Sequence, residues 1–166
     1  MDTRISGFGG DPLDLNDNDL IVQATPETRD GVLRQVSELV RSGRQRDATG
    51  QLWHGLGITS GTAASASLYT GLAVAINDRG DGTRLFEQFD GWPVDTSSIL
   101  VKYTWAGDLN LDGYVDDKDL NAFNPAGSGW TSGDANYDGR VNGEDYGSWI
   151  QPTYDIIRRP FEPQTP

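Results

Sequence analysis

Apolar residues along this 166-residue chain change period several times, and each change predicts an element. Leu13 and Leu15, then residues 20–22, read as two short strands around the polar turn 16–19. Thr25-Pro26-Glu27 is a helix start: a hydroxyl cap, proline at the first helical position and an acid in the first turn. Val32, Leu33, Val36, Leu39 and Val40 then recur at helical spacing, so an amphipathic helix is expected over 26–41 with Gly43 as its stop. Arg34, Arg41, Arg44 and Arg46 gather towards its end, where positive charge suits the helix dipole. Ser60 is placed to cap a short Ala-rich helix reaching Ala66. Leu72, Val74 and Ile76 alternate as in a half-buried strand, followed by turn chemistry at 77–82. Ile99, Val101, Tyr103 and Trp105 alternate with Leu100, Lys102 and Thr104 and form the clearest strand pattern in the chain. Residues 1–11 read as a flexible Gly-rich entry. The Pro-rich segment 151–166 reads as an extended tail anchored by Tyr154, Ile156, Ile157 and Phe161.

Composition narrows the function. The chain carries 25 acidic side chains against 13 basic ones, a formal charge of −12, with no cysteine and one histidine, His54. Such acidity argues against nucleic acid, whose binding rests on Lys and Arg neutralising phosphates. Without cysteine there are no disulfides, zinc thiolates or cysteine nucleophiles, and one histidine excludes two-histidine metal motifs. The apolar runs fall far short of the roughly 20 residues that span a bilayer, and nothing near Met1 resembles a signal peptide. Residues 107–150 hold nine acids and two bases, a net −7, so a quarter of the chain carries more than half of its net charge. That crowding destabilises a compact state unless something positive sits inside it.

The crowding has a pattern. Residues 107–123 and 133–149 are identical at seven of seventeen aligned positions, and each copy reads D-x-N-x-D-G-x-V-[DN]-x-x-D. The first is Asp108, Asn110, Asp112, Gly113, Asp116 and Asp119; the second is Asp134, Asn136, Asp138, Gly139, Asn142 and Asp145. In a calcium loop, side chains at positions 1, 3 and 5 point inward as oxygen ligands, and glycine at position 6 makes the sharp turn. The carbonyl of position 7, here Tyr114 or Arg140, adds a ligand, position 9 acts through water, and the carboxylate at position 12 closes the shell. Asp at position 12 is one methylene shorter than the usual Glu, so bidentate closure requires the helix to lie nearer the ion. Two Ca²⁺ ions are expected, and Val115 and Val141 at position 8 are expected to pair across the loops in a short ladder.

Tandem loops of this kind, each followed by a helix start but not preceded by one, resemble dockerin modules. The resemblance covers about residues 107–150. It implies a pair of EF-hand-type loop-helix calcium units and binding to a cohesin-like protein. Positions 10 and 11 are Asp117-Lys118 and Gly143-Glu144, unlike the Ser-Thr frequent in cellulosomal dockerins and unlike each other. The first helix is cut short by Asn124-Pro125. The preceding region is similar to segments before dockerin-like repeats in large secreted proteins of planctomycete-type bacteria. That second resemblance implies an extracellular or cell-surface setting and no reaction.

The chain thus reads as a non-enzymatic α+β protein in three parts. These are a small β-containing domain with one amphipathic helix over 1–106, the dockerin-like pair over 107–150 and the tail over 151–166. Attachment to a protein partner is the expected function. Two alternatives stay open. One is a structural subunit that assembles with copies of itself through the tail or through a sheet edge formed by residues 99–105. The other is a carbohydrate-binding module using Trp53, Trp92, Trp105, Trp130 and Trp149. Asp14, Asn16, Asn18 and Asp19 read as an Asx-rich turn rather than a third cation site, His54 as packing or surface, and Arg79-Gly80-Asp81 as ordinary turn chemistry.

Overall fold

The computed structural model describes residues 11–66 and 69–156; most of the Gly-rich entry, and Ile157 and Phe161 of the expected tail, lie outside them. The molecule mixes helix and strand. Three antiparallel strands form the main sheet: β2 (Leu20–Val22), β4 (Thr70–Ile76) and β7 (Ile99–Trp105), in the order β2-β7-β4. β1 (Leu13–Asp14) pairs in parallel with β3 (Ile58–Thr59), and β5 (Gln88–Phe89) pairs with β6 (Trp92–Pro93) in a hairpin.

Helix α1 (Arg29–Gly43) lays Val32, Val36 and Val40 into one core with Leu72, Val74, Ile99, Val101 and Tyr103. Burying each valine stabilises the fold by about 1.5–3 kcal/mol. The regular helix starts three residues later than expected. Thr25-Pro26 first builds one hydrogen-bonded turn, in which the Arg29 N–H donates to the Thr25 carbonyl at 2.9 Å and the Thr25 N–H to the Thr28 hydroxyl at 3.0 Å. Gly43 belongs to the helix rather than standing beyond it. A Cβ there would lie 1.9 Å from the Ile58 carbonyl oxygen, so glycine is required by the close approach of β3. Ser60 caps α2 (Gly61–Ser65) as expected, its hydroxyl accepting from the Ala63 N–H, and Asp14 accepts the Gly61 N–H from the same end.

Two expectations for the strands are corrected. Residues 99–105 are the central strand, not an edge. Both long strands are buried nearly throughout rather than on one face. The β5-β6 hairpin explains the second point, since Phe89 and Val94 cover Leu100 on the face opposite α1. The turn of that hairpin is Asp90-Gly91, both at positive φ (50° and 78°), as a two-residue hairpin demands.

The 107–150 region packs onto this sheet. Leu109, Leu111, Trp130, Ala135, Tyr137 and Ile150 belong to the same buried cluster as the α1 and β4 residues. Helix α3 (Asp117–Ala122) is indeed short. After the second loop the chain runs through α4 (Gly143–Asp145), a π-turn over Tyr146–Ile150 and α5 (Gln151–Ile156). The extended tail is therefore helical as far as Ile156. Pro152 is accommodated because the π-turn opens the backbone ladder where proline has no N–H to give. The Thr153 hydroxyl donates to the Trp149 carbonyl at 2.7 Å and Tyr154 bonds Asp117 at 2.6 Å, tying α5 back to α3. Val115 and Val141 are buried, but no strand pairing forms between them; among the described residues the ladders are those named above. No helix among the described residues is long and apolar enough to cross a membrane.

Candidate metal centre

The two acidic loops adopt one backbone. Their fourth positions, Leu111 and Tyr137, have φ of 63° and 61°, and the glycines at the sixth, Gly113 and Gly139, have 88° and 84°. Most hydrogen bonds repeat between the loops, except that Asp134 also accepts the Asp138 N–H at 3.1 Å, a bond Asp108 lacks. The first-position carboxylate accepts the N–H of the sixth: Asp108 from Gly113 at 3.0 Å and Asp134 from Gly139 at 3.1 Å. Asn110 and Asn136 accept from Asp112 and Asp138 at 2.8 and 2.7 Å, and these in turn accept the Tyr114 and Arg140 N–H at 3.1 and 2.8 Å. Asn110, Asp112, Asn136 and Asp138 each thereby close an Asx turn of their own loop, with Asp112 and Asp138 exposed.

Positions 9 and 12 start the following helices. Asp116 and Asn142 are N-caps, and Asp119 and Asp145 reach back to the N–H groups of those same residues at 2.9 and 3.0 Å, so both helices begin with a capping box. The other oxygen of Asp119 accepts from Leu109 and Asn110 at 2.8 and 3.2 Å, and that of Asp145 from Ala135 and Asn136 at 3.1 and 3.3 Å. Both carboxylates are fully buried, and each stitches the two ends of its loop together. No three acidic or histidine side chains converge in a metal cluster among the described residues.

One atom is left over. Asp108 is 0% exposed; its Oδ2 takes the Thr104 hydroxyl at 2.5 Å and the Gly113 N–H, but its Oδ1 is buried without a hydrogen-bond partner. A buried acceptor left unpaired costs about 1–3 kcal/mol. Burial pushes the Asp108 carboxyl up to about 7, with the nearby Asp119 and Asp112 carboxylates adding to the rise and the Thr104 hydroxyl opposing it. Asp119, Asp134 and Asp145 are also raised, first by burial. The first loop holds a tethered cation as well. The Lys118 ammonium lies 3.1 Å from Asp112 and 3.5 Å from Asp116, 70% exposed, while the second loop has Glu144 at the same position.

Several supporting residues escape a linear reading because their partners are distant. The Trp130 indole N–H donates to the Asp108 carbonyl at 2.7 Å, joining the approach to the second loop with the start of the first. Tyr137 is buried and its hydroxyl donates to the Leu72 carbonyl at 2.6 Å and accepts from the Val74 N–H, sealing the outer edge of β4. Arg44, at the C-cap of α1, lies 4.4 Å over the Trp149 ring and donates to the Asn136 carbonyl at 3.3 Å. Burial lowers it to about 10, and Tyr137, Asp134 and Asp145 favour its charge.

The remaining signals have local explanations. Asp19 accepts the Tyr103 N–H at 2.8 Å and pairs with Lys102 at 3.6 Å, and Asp14 caps α2, so the 14–19 acids hold the sheet and a helix end. Asp81 accepts from Thr83, and Arg79 donates to the Arg84 and Leu85 carbonyls, which is turn chemistry. His54 is exposed. Trp53 and Trp130 are buried and Trp92 is 69% exposed, so the tryptophans form no continuous face. No protein-family model, curated protein or solved structure matches the chain.

Proposed function

We propose that residues 107–150 bind two Ca²⁺ ions and form a dockerin-like module through which the protein attaches to a protein partner on or outside the cell, without catalysing a reaction. The observation that carries this reading is the Asp108 Oδ1, buried in the first loop without a hydrogen-bond partner. A cation at that oxygen would return the cost of an orphaned acceptor and of a desolvated charge. Ligands in the first loop are Asp108, Asn110, Asp112, the Tyr114 carbonyl, Asp116 through water and Asp119. In the second they are Asp134, Asn136, Asp138, the Arg140 carbonyl, Asn142 through water and Asp145. Hard oxygens in a flexible loop suit calcium better than the smaller, strictly octahedral magnesium. Each ion would neutralise two charges and bring the window from −7 to −3.

Thermal unfolding with calcium and with chelator tests the proposal. Calcium at a hundredfold excess over its dissociation constant raises stability by about 2.7 kcal/mol per site, and chelation removes the gain. An unchanged melting temperature contradicts it.

A further inference from the structure

The main sheet has two edges, and among the described residues only one is closed. Along β7, the Tyr103 N–H is held by Asp19 on the β2 side. The ladder to β4 is bounded by Ala106 N–H to the Tyr69 carbonyl and Asn77 N–H to the Ser98 carbonyl. Antiparallel alternation then assigns residues 100, 102 and 104 to β4, and 99 and 101 to β2. Leu20 and Val22 therefore spend their backbone groups on Val101 and Ile99, and Ile21 points its N–H and C=O outward with no partner among the described residues. At the opposite edge the Tyr137 hydroxyl occupies the corresponding groups of β4.

A groove of about 450 Å³ runs beside this open edge, lined by Asp19, Leu20, Ile21, Asp90, Trp92 and Pro93. Trp92 is the most exposed large apolar side chain among the described residues, and its backbone pairs with Phe89 directly after the Asp90-Gly91 hairpin turn. Through Asp19 and Asp90 the groove continues into a second basin of about 360 Å³ that adds Asp17 and Asp112. Lys102, which lines it, is already engaged by Asp19 and by the Phe89 ring at 5.5 Å, and Asp112 is paired with Lys118 at 3.1 Å. The place thus combines a backbone donor and acceptor unpaired among the described residues, an apolar shelf and a rim of carboxylates.

We propose that the β2 edge and the Trp92 shelf dock an extended, cationic segment of another protein. The segment adds a strand to the sheet by exchanging two backbone hydrogen bonds with Ile21, as in β-strand addition. Alternate side chains rest on Trp92, and Lys or Arg side chains reach towards Asp17 and Asp90. A second copy of this chain is disfavoured in that role, because it carries a formal charge of −12 and would set one acidic rim against another. The proposal does not rest on calcium binding.

The test uses the full chain, isotope-labelled, and two blocked hexapeptides, one alternating lysine with valine and one alternating glutamate with valine. The lysine peptide shifts the Ile21 amide and the Trp92 indole resonances saturably, and its affinity falls as salt is raised. Trp92→Ala, an exposed position, weakens binding about ten-fold or more. Asp90→Asn, which tolerates the same turn, weakens it about three-fold and flattens the salt dependence. The proposal is overturned if the lysine peptide gives no saturable shift, shifts residues away from β2 and the hairpin, or binds no better than the glutamate peptide. It is equally overturned if Ile21 shifts with protein concentration alone, which would make a second copy the occupant. An oligosaccharide that moves the Trp92 indole where the lysine peptide does not would also overturn it.

Discussion

Replacing Tyr137 by Phe isolates the contact that ties the second loop to the sheet. The ring remains, packed 5.7 Å from Trp130, and only the hydroxyl is lost. That hydroxyl bridges the Leu72 carbonyl and the Val74 N–H, both on strand β4, where every residue from Thr70 to Ala75 is buried. Each buried group left unpaired costs about 1–3 kcal/mol, and two of them, partly relaxed, cost about 2–4 kcal/mol in all. For a chain of this length that lowers the melting temperature by roughly 5–10 °C. Hydrogen exchange supplies the specific readout. In Tyr137→Phe the Val74 amide exchanges faster, while the Ala73 amide, which points into the ladder with β7, stays as protected as global stability allows. If the melting temperature stays within a degree of the wild type and the Val74 amide is unaffected, the second loop does not seal the sheet edge.

Three further outcomes follow from the same structure. Asp108→Ala and Asp134→Ala should each remove one calcium equivalent, read by titration calorimetry, and leave the other site in place. Gly43→Ala should cost about 1–3 kcal/mol through collision with the Ile58 carbonyl, whereas Gly31→Ala, which meets nothing within 4 Å, should be neutral or mildly stabilising in chemical denaturation. Asp19 is raised from 3.8 to about 6, chiefly by burial against the opposing pull of Lys102. Its folded form holds a proton that the unfolded chain releases, so the associated stability is complete below about pH 4 and lost as pH rises through 6. Measured in chelator, wild type should therefore lose about 3 kcal/mol relative to Asp19→Asn between pH 4 and 7, and parallel pH profiles would refute this.

The elements legible in the sequence are those whose signal is local. The valine face of α1, the Ser60 cap, the alternating β4 and β7 and the twin loops all follow from spacing within a dozen residues. What was missed depends on partners far along the chain. Residues 99–105 carry the same alternation whether they lie at an edge or at the centre. The strand is central because β2 joins it from a segment about 80 residues earlier. The β5-β6 hairpin did have a local signal, Asp90-Gly91 between Phe89 and Trp92, and that signal explains the burial of Leu100. Gly43 looks like a helix stop in one dimension and is a contact point in three. In the loops, residue types at positions 1, 3, 5, 6, 9 and 12 predict the shared backbone, with its Asx turns, its glycine turn and its capping boxes. Arg44, Thr104, Trp130 and Tyr137, which hold the loops against the sheet, carry no motif at all.

Calorimetric titration of the intact chain with Ca²⁺, followed by a melt in chelator, tests the central claim most directly. Two ions bound per chain, with a melting temperature that falls when they are withdrawn, is the predicted result. Absence of binding heat, together with a melting temperature indifferent to chelator, would contradict it and leave the paired loops as Asx turns that need no metal.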